Sequence, residues 1–389
     1  MKNFNFFLVN YGLVLFPLSL ALPLPLIYSS ITLVLFIVIL ILNIEWKSLK
    51  FNNFAVIISI LFFLIDPLSF FFTFNPERIQ INDTKIAYFF IPFLVYNSQK
   101  IILSNLKRIL YAFVLGTFIY ALYAWIFVFY FFNVMYPEWR QFSLTDGYLI
   151  YVLYNYLPGS IHHTYIGLYL LFSISILLCY PLKIKYFKIS TIIILFLSFS
   201  LIYFGGKLTI VILFINYLIY LLFKKKIKYK YFLPVFVFLL ALGQWKGKEI
   251  LYFLGNSYGE RINYYRCGFL VLKDNYLQGV GFSNIKNSIK YCQEINFESS
   301  VLIPHNSILY EILANGILGL VLICSLYIYL VKKFISTNNL LLRNLIISVL
   351  LIGLIEDVFY RQRGVFFIAI FFSIMLICES GIHSINSKD

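Results

Sequence analysis

The segment that decides how this chain is organised runs from Gly259 to Leu320 and reads GERINYYRCGFLVLKDNYLQGVGFSNIKNSIKYCQEINFESSVLIPHNSILYEILANGILGL. It is the longest segment that is not continuously apolar, and it contains several basic residues: Arg261, Arg266, Lys273, Lys286, Lys290 and His305. The sequence on either side is largely apolar. A chain that keeps one long basic and aromatic segment between apolar ones is expected to carry out its chemistry there.

The composition places the chain among polytopic membrane proteins. Of its 389 residues, 61% are hydrophobic and only 12% are charged, and the mean hydropathy is +0.88. Soluble domains carry about 25% charged residues. The net charge of +15 is explained by Lys and Arg in cytoplasmic loops, which argues against a nucleic-acid partner. The N-terminal apolar run has no small-residue cleavage site, so we expect it to remain as a span.

Apolar runs near the roughly 20 residues needed to cross a bilayer predict about twelve transmembrane helices in a single transmembrane domain, residues 1–389. They lie at 5–22, 25–43, 53–73, 86–99, 109–132, 164–181, 189–205, 207–223, 231–244, 306–331, 344–358 and 364–379. The expected fold class is therefore an all-α polytopic membrane protein.

The distribution of Lys and Arg predicts the orientation of these spans. Outside the segment 245–305, most basic residues fall in alternate loops, which places both termini in the cytoplasm. The long loop 245–305 and the shorter loop 133–163 then share the outer, periplasmic face. Cys267 and Cys292 in the long loop can pair if that face is oxidising. No residue spacing is typical of a metal site, so no metal and no cofactor is expected.

Ionisable residues next to apolar spans are candidate functional groups because their burial in the bilayer is costly. Lys207 follows the Gly205-Gly206 turn and opens the eighth span; it either binds an anion or extends to the interface. His305 precedes Asn306 at the mouth of the tenth span, and a neutral imidazole there suits a general base. A structural role for His305 is the alternative. Glu311 follows it on the same predicted helix and is expected to bind substrate.

Arg261 lies at the start of a predicted amphipathic helix at the membrane surface. Ile262, Tyr265, Phe269 and Leu272 are expected on one face of that helix.

Three further groups of ionisable residues remain open. His162 and His163 either contact a substrate or cap the sixth span. The charged group after the eleventh span is interpreted as interfacial ion pairs more readily than as catalytic residues; it comprises Glu356, Asp357, Arg361 and Arg363. Asp66, before Pro67, is left unassigned.

Fixed cations and one neutral base at the outer face suit a lipid-linked diphosphate sugar. Guanidinium and ammonium groups bind diphosphate oxygens. During glycosyl transfer the leaving diphosphate gains negative charge, and cations placed there stabilise the transition state. A base beside the sugar would deprotonate the acceptor hydroxyl.

Four segments in this order, FGGKLTI, GERINYYRCGFLVLKDNYLQGVGFSN, HNSILYEILANGILGL and IEDVFYRQRGVFF, resemble the O-antigen ligase and O-antigen polymerase superfamily of GT-C type membrane glycosyltransferases. The resemblance covers about residues 190–380. It implies an inverting, metal-independent transfer from an undecaprenyl diphosphate-linked glycan at the periplasmic face of the bacterial inner membrane. It further implies that Arg261 contacts diphosphate and that His305 is essential, with Lys207 replacing the usual arginine and His163 matching a frequent histidine.

The acceptor separates the two branches of that superfamily. A ligase would use the lipid A-core, and a polymerase would use a second lipid-linked repeat unit; the motifs resemble ligases slightly more. A flippase for lipid-linked glycans and a membrane scaffold are the alternatives from other classes.

Overall fold

The computed structural model describes residues 2–44, 83–142, 146–181, 187–223, 262–297 and 306–386, with six isolated positions between 46 and 64. Within these ranges the chain forms helices and no strand. They are α1 (Lys2–Ala21), α2 (Leu26–Leu42), α3 (Ile86–Asn97), α4 (Gln99–Tyr130), α5 (Asp146–Tyr156), α6 (His163–Cys179), α7 (Phe187–Phe204), α8 (Lys207–Phe223), α9 (262–275), α10 (Ile285–Phe297), α11 (Ser307–Ser336), α12 (Leu340–Gly353) and α13 (Gln362–Asn386).

The membrane character of the chain agrees with these helices. Three described segments are long and apolar enough to cross a bilayer: Gln99–Met135, Ser307–Ser336 and Gln362–Glu379. Seven further apolar helices are shorter, at 10–17 residues. The predicted spans 53–73 and 231–244 lie almost wholly outside the described residues, so the number twelve stays a prediction. The eleventh span differs from its predicted bounds, because its helix ends at Gly353 and the next residues form a separate loop.

Aromatic side chains fill the centre of the bundle, where α4, α6 and α13 meet. The Phe113 ring lies 5.4 Å from Tyr169, 5.8 Å from Phe172 and 4.7 Å from Phe371, measured between centroids. All of these rings are buried. Edge-to-face contacts of this kind add stability beyond area burial, which helps hold helices together where lipid provides no hydrophobic driving force.

Hydrogen bonds between small polar side chains supplement this core. Ser173 of α6 donates to Thr117 of α4 at 3.0 Å. Asn344 of α12 also donates to α6, to the Ser175 hydroxyl at 3.3 Å. Such bonds between apolar helices contribute roughly 0.6 kcal/mol each on average, so they specify helix pairing more than they stabilise it.

Helix α11 is broken at Gly316, which has φ +59° and ψ −139°. The break frees the carbonyls of Leu313 and Ala314, which accept hydrogen bonds from the amides of Val280 at 2.7 Å and Gly281 at 3.1 Å. Freed backbone groups at membrane depth must find protein partners. The turn between α9 and α10 is therefore inserted against the interrupted helix.

Helices α9 and α10 are joined by a Cys267–Cys292 disulfide with a Cα–Cα distance of 5.7 Å, which agrees with the pairing left open by the sequence. The predicted apolar face of α9 is only partly correct. Leu272 is buried, but Phe269 is 67% exposed, and the inward face instead carries Tyr264 and Cys267. The disulfide and the packing of Gly268 against Leu309 set this rotation of the helix.

Candidate functional site

Four helices begin at one end of the bundle, which we call the site end: α6, α8, α11 and α13. The loop 354–361 connects them there. The Ser307 hydroxyl at the start of α11 donates to the Glu356 carbonyl at 2.7 Å, and the Asn306 amide donates to the Leu354 carbonyl at 2.7 Å. Helix N-termini carry partial positive charge and unpaired amides. Their convergence favours an anionic ligand at the site end.

The histidine pair lies at this end. The imidazole centroids of His162 and His163 are 4.2 Å apart. A ligand atom from each ring and one Glu356 carboxylate oxygen all lie within 4.8 Å of one another, and Glu356 is buried. The sequence left open whether the pair caps α6 or contacts a substrate. His162 occupies the N-cap position but makes no side-chain capping hydrogen bond there, and both rings face a buried carboxylate.

The glycine turn before Lys207 packs against the same pair. A Cβ atom built on Gly206 would lie 3.4 Å from His163 Cδ2. Lys207 is the first residue of α8 and is partly exposed. The fold therefore brings Lys207, His163 and Glu356 from three distant parts of the sequence to one end of the bundle.

A partly buried ion pair follows Glu356 in the loop. Arg361 Nε lies 3.1 Å from an Asp357 carboxylate oxygen, and the two side chains are 33% and 6% exposed. Burial lowers the pKa of the Arg361 guanidinium, but Asp357, Tyr165 and Glu356 together outweigh this and leave the pKa raised. Arg361 is therefore cationic at any physiological pH, and it forms an ion pair of the kind that the sequence favoured for this charged group.

Two buried tyrosines approach these carboxylates. Tyr165 of α6 and Tyr264 of α9 both interact electrostatically with Glu356 and Asp357. Burial raises the pKa of Tyr264, so its phenol stays protonated. Among the described residues neither hydroxyl has a hydrogen-bond partner. Both can therefore donate to a ligand at the site end.

Sequence reasoning missed Lys85, which pairs with Glu311 beneath this cluster. Lys85 Nζ lies 3.4 Å from Glu311 Oε2, and both side chains are 0% exposed. Asn315 donates to the other Glu311 oxygen at 2.7 Å, and the Lys85 ammonium lies 4.8 Å from the Tyr360 ring centroid. Lys85 directly precedes an apolar run, where loop charges are common, so its local sequence does not distinguish it. Glu311, predicted to bind substrate, is the acidic member of this buried pair.

Arg261 and His305 both lie outside the described residues. The residues that follow them belong to helices near the site. Ile262 lies in α9, two positions before Tyr264, and Asn306 caps α11 by accepting from the Ile308 and Leu309 amides, each at 2.9 Å.

The chemistry available at the site end is anion binding and proton transfer. Lys207 and the helix N-termini supply positive charge, Arg361 is paired with Asp357, and an imidazole next to a carboxylate can accept a proton. His162, His163 and Glu356 also form a nitrogen and oxygen donor set of the kind that holds zinc. The same atoms serve equally as an imidazole–carboxylate hydrogen-bonded group.

No protein-family model matches this chain, and no curated protein matches its sequence.

Proposed function

We propose that this protein is a membrane glycosyltransferase that moves a glycan from a polyprenyl diphosphate, undecaprenyl diphosphate in bacteria, to an acceptor hydroxyl. The observation that carries the proposal is the convergence of His163, Lys207 and Glu356 at the end of the bundle where four helices begin. A lipid-linked diphosphate has its charge at headgroup depth and its tail in the bilayer, which suits this position.

The proposed mechanism assigns roles to separate groups. Lys207 and the helix N-termini bind the diphosphate and stabilise the charge that develops as it leaves. Arg261 adds a bidentate contact. His305 accepts the proton of the acceptor hydroxyl while the glycosidic bond forms and the bond to the diphosphate breaks, with inversion. His163, close to Glu356, contacts donor or acceptor.

The orientation that we propose places the site end in the periplasm of a bacterial inner membrane, with both termini cytoplasmic. The Cys267–Cys292 pairing supports this, because disulfides persist in oxidising compartments. The preferred acceptor is the lipid A-core, as for a ligase. A second lipid-linked repeat unit, as for a polymerase, is the alternative.

The experiment is transfer in proteoliposomes that contain purified lipid-linked glycan and one acceptor at a time. We expect His305→Ala, Arg261→Ala and Lys207→Met each to lower product formation about 10²–10³-fold. Lys207→Arg should stay within about tenfold of the native chain because the charge is kept. Lys290→Met, at a half-exposed i,i+4 pair, is the control. Undiminished transfer in the His305 and Arg261 variants would refute the mechanism.

A flippase is the second candidate, and the break at Gly316 next to the buried Lys85–Glu311 pair favours it. Discontinuous helices beside buried charges are typical of transporter binding sites. The same proteoliposomes distinguish the two functions. A flippase moves the lipid-linked glycan between leaflets without forming product, whereas the proposed transferase forms product with donor and acceptor in one leaflet.

A further inference from the structure

A groove of about 800 Å³ lies between α9 and α10, apart from the cluster at the site end. Asn275 lines it from α9, and Asn287, Ser288 and Tyr291 line it from α10. Its volume falls within the range of small-molecule binding sites, about 300–1,000 Å³. Val280, which bonds to the interrupted part of α11, is also part of its lining.

The lining combines four asparagines with apolar side chains, among them Leu270, Val271 and Ile295. The side-chain amides of Asn275, Asn284 and Asn296 donate to the carbonyls four residues earlier, at 2.9, 3.2 and 2.9 Å. One N–H of each amide is thus used by the backbone, and each carboxamide oxygen remains an acceptor. A ligand rich in hydroxyl donors complements such a surface.

The remaining contacts of the groove also suit a sugar chain. The Tyr291 ring is 69% exposed, and an aromatic ring can pack against the apolar C–H face of a pyranose while its hydroxyl stays solvated. Lys273 and Asp274 line the groove with opposite charges, so it has no excess charge for a phosphate. An acyl chain would cover the asparagine oxygens without offering them a hydrogen-bond donor, whereas a glycan supplies hydroxyl donors.

The groove is held in shape by the Cys267–Cys292 disulfide, and Cys292 is itself part of its lining. A covalent link between the two walls limits the conformational entropy that a ligand must remove on binding. A preorganised groove of this kind is suited to polar ligands that bind with low affinity, such as glycans.

Helix α9 connects the groove to the site end. Tyr264 interacts with Glu356 and Asp357, and Val271 lines the groove. Seven residues of α-helix span about 10 Å. A glycan with its reacting sugar at the site end would therefore reach the groove within a few sugar units.

From these observations we infer that the groove between α9 and α10 is a subsite for a neutral glycan chain, carried by the donor or the acceptor several sugars away from the reacting bond. Which glycan binds rests on the proposed glycosyl transfer, whereas the binding of a glycan in the groove does not.

The test is saturation-transfer NMR on the full-length protein in nanodiscs. The probe is the mixture of oligosaccharides released by mild acid from lipid-linked glycans of the cells that produce the protein. We expect saturation transfer to sugar C–H protons and at least tenfold weaker binding with Asn287→Ala combined with Tyr291→Ala, both exposed residues. Tyr276→Ala, 60% exposed and outside the groove lining, is the matched control and should bind normally.

Three results would overturn the inference. The first is no saturation transfer to any released glycan, and the second is an equal loss of glycan binding in the Tyr276→Ala control. The third is displacement of the glycan by phosphatidylglycerol vesicles, which would identify a lipid site. Binding is also measured with Arg261→Ala plus His305→Ala, which should keep it. Retained glycan binding in a chain without transferase activity would support the groove even if the proposed reaction were wrong.

Discussion

Removing one partner of the buried Lys85–Glu311 pair should destabilise the protein far more than removing both. The two side chains are fully buried and 3.4 Å apart. Lys85→Met removes the cation next to the Glu311 carboxylate, which keeps its bond from the neutral Asn315 amide. Glu311→Gln removes the carboxylate next to the Lys85 ammonium at the Tyr360 ring. Breaking a buried pair by removing one partner costs about 3–5 kcal/mol.

The double variant Lys85→Met with Glu311→Gln removes both charges of the pair. The introduced glutamine would still accept from Asn315, and the introduced methionine fills most of the volume of the lysine side chain. Replacing a whole buried pair is often neutral or stabilising. We therefore expect the double variant to recover most of the loss, with a coupling energy of about 3 kcal/mol or more between the two positions.

The assay is the free energy of unfolding in bicelles for the four members of this cycle. Lys290→Met is the matched control, because Lys290 and Glu294 form an i,i+4 pair whose side chains are 50% and 56% exposed. That change should cost at most about 0.5 kcal/mol. Two results would refute a buried ion pair between Lys85 and α11. One is a loss of unfolding free energy for Lys85→Met no larger than that for Lys290→Met. The other is a loss in the double variant equal to the sum of the losses in the two single variants.

Two other predictions concern the broken helix and metal dependence. Gly316→Ala should lower the free energy of unfolding by at least about 3 kcal/mol, since φ is +59° and a Cβ there would overlap the Leu277 carbonyl oxygen. Its melting temperature should lie well below that of Gly268→Ala, whose Cβ would meet the Leu309 side chain. Equal melting temperatures of the two variants would contradict the predicted backbone strain at Gly316. Transfer activity should be unchanged after EDTA treatment, because Lys207 and the helix N-termini supply the positive charge at the diphosphate; loss of activity that Zn²⁺ restores would instead assign a metal to His162, His163 and Glu356.

The apolar runs by themselves predicted most of the helical architecture. Each run that falls in the described ranges coincides with a helix, because a bilayer requires about 20 apolar residues with internally satisfied backbone. Lys207 and His163 could also be singled out from sequence, since an ionisable residue at the edge of an apolar run is costly and therefore conspicuous.

Other features depended on contacts between distant segments, which no local pattern encodes. No local pattern distinguishes Lys85 from a loop charge, and only the fold places it beside Glu311. The rotation of α9 followed from its disulfide and from α11 rather than from its own periodicity. The sequence determined which segments are helical and which residues are costly to bury. Only the tertiary structure decided which of those residues share a site, because partner choice depends on packing between helices that lie far apart in the chain.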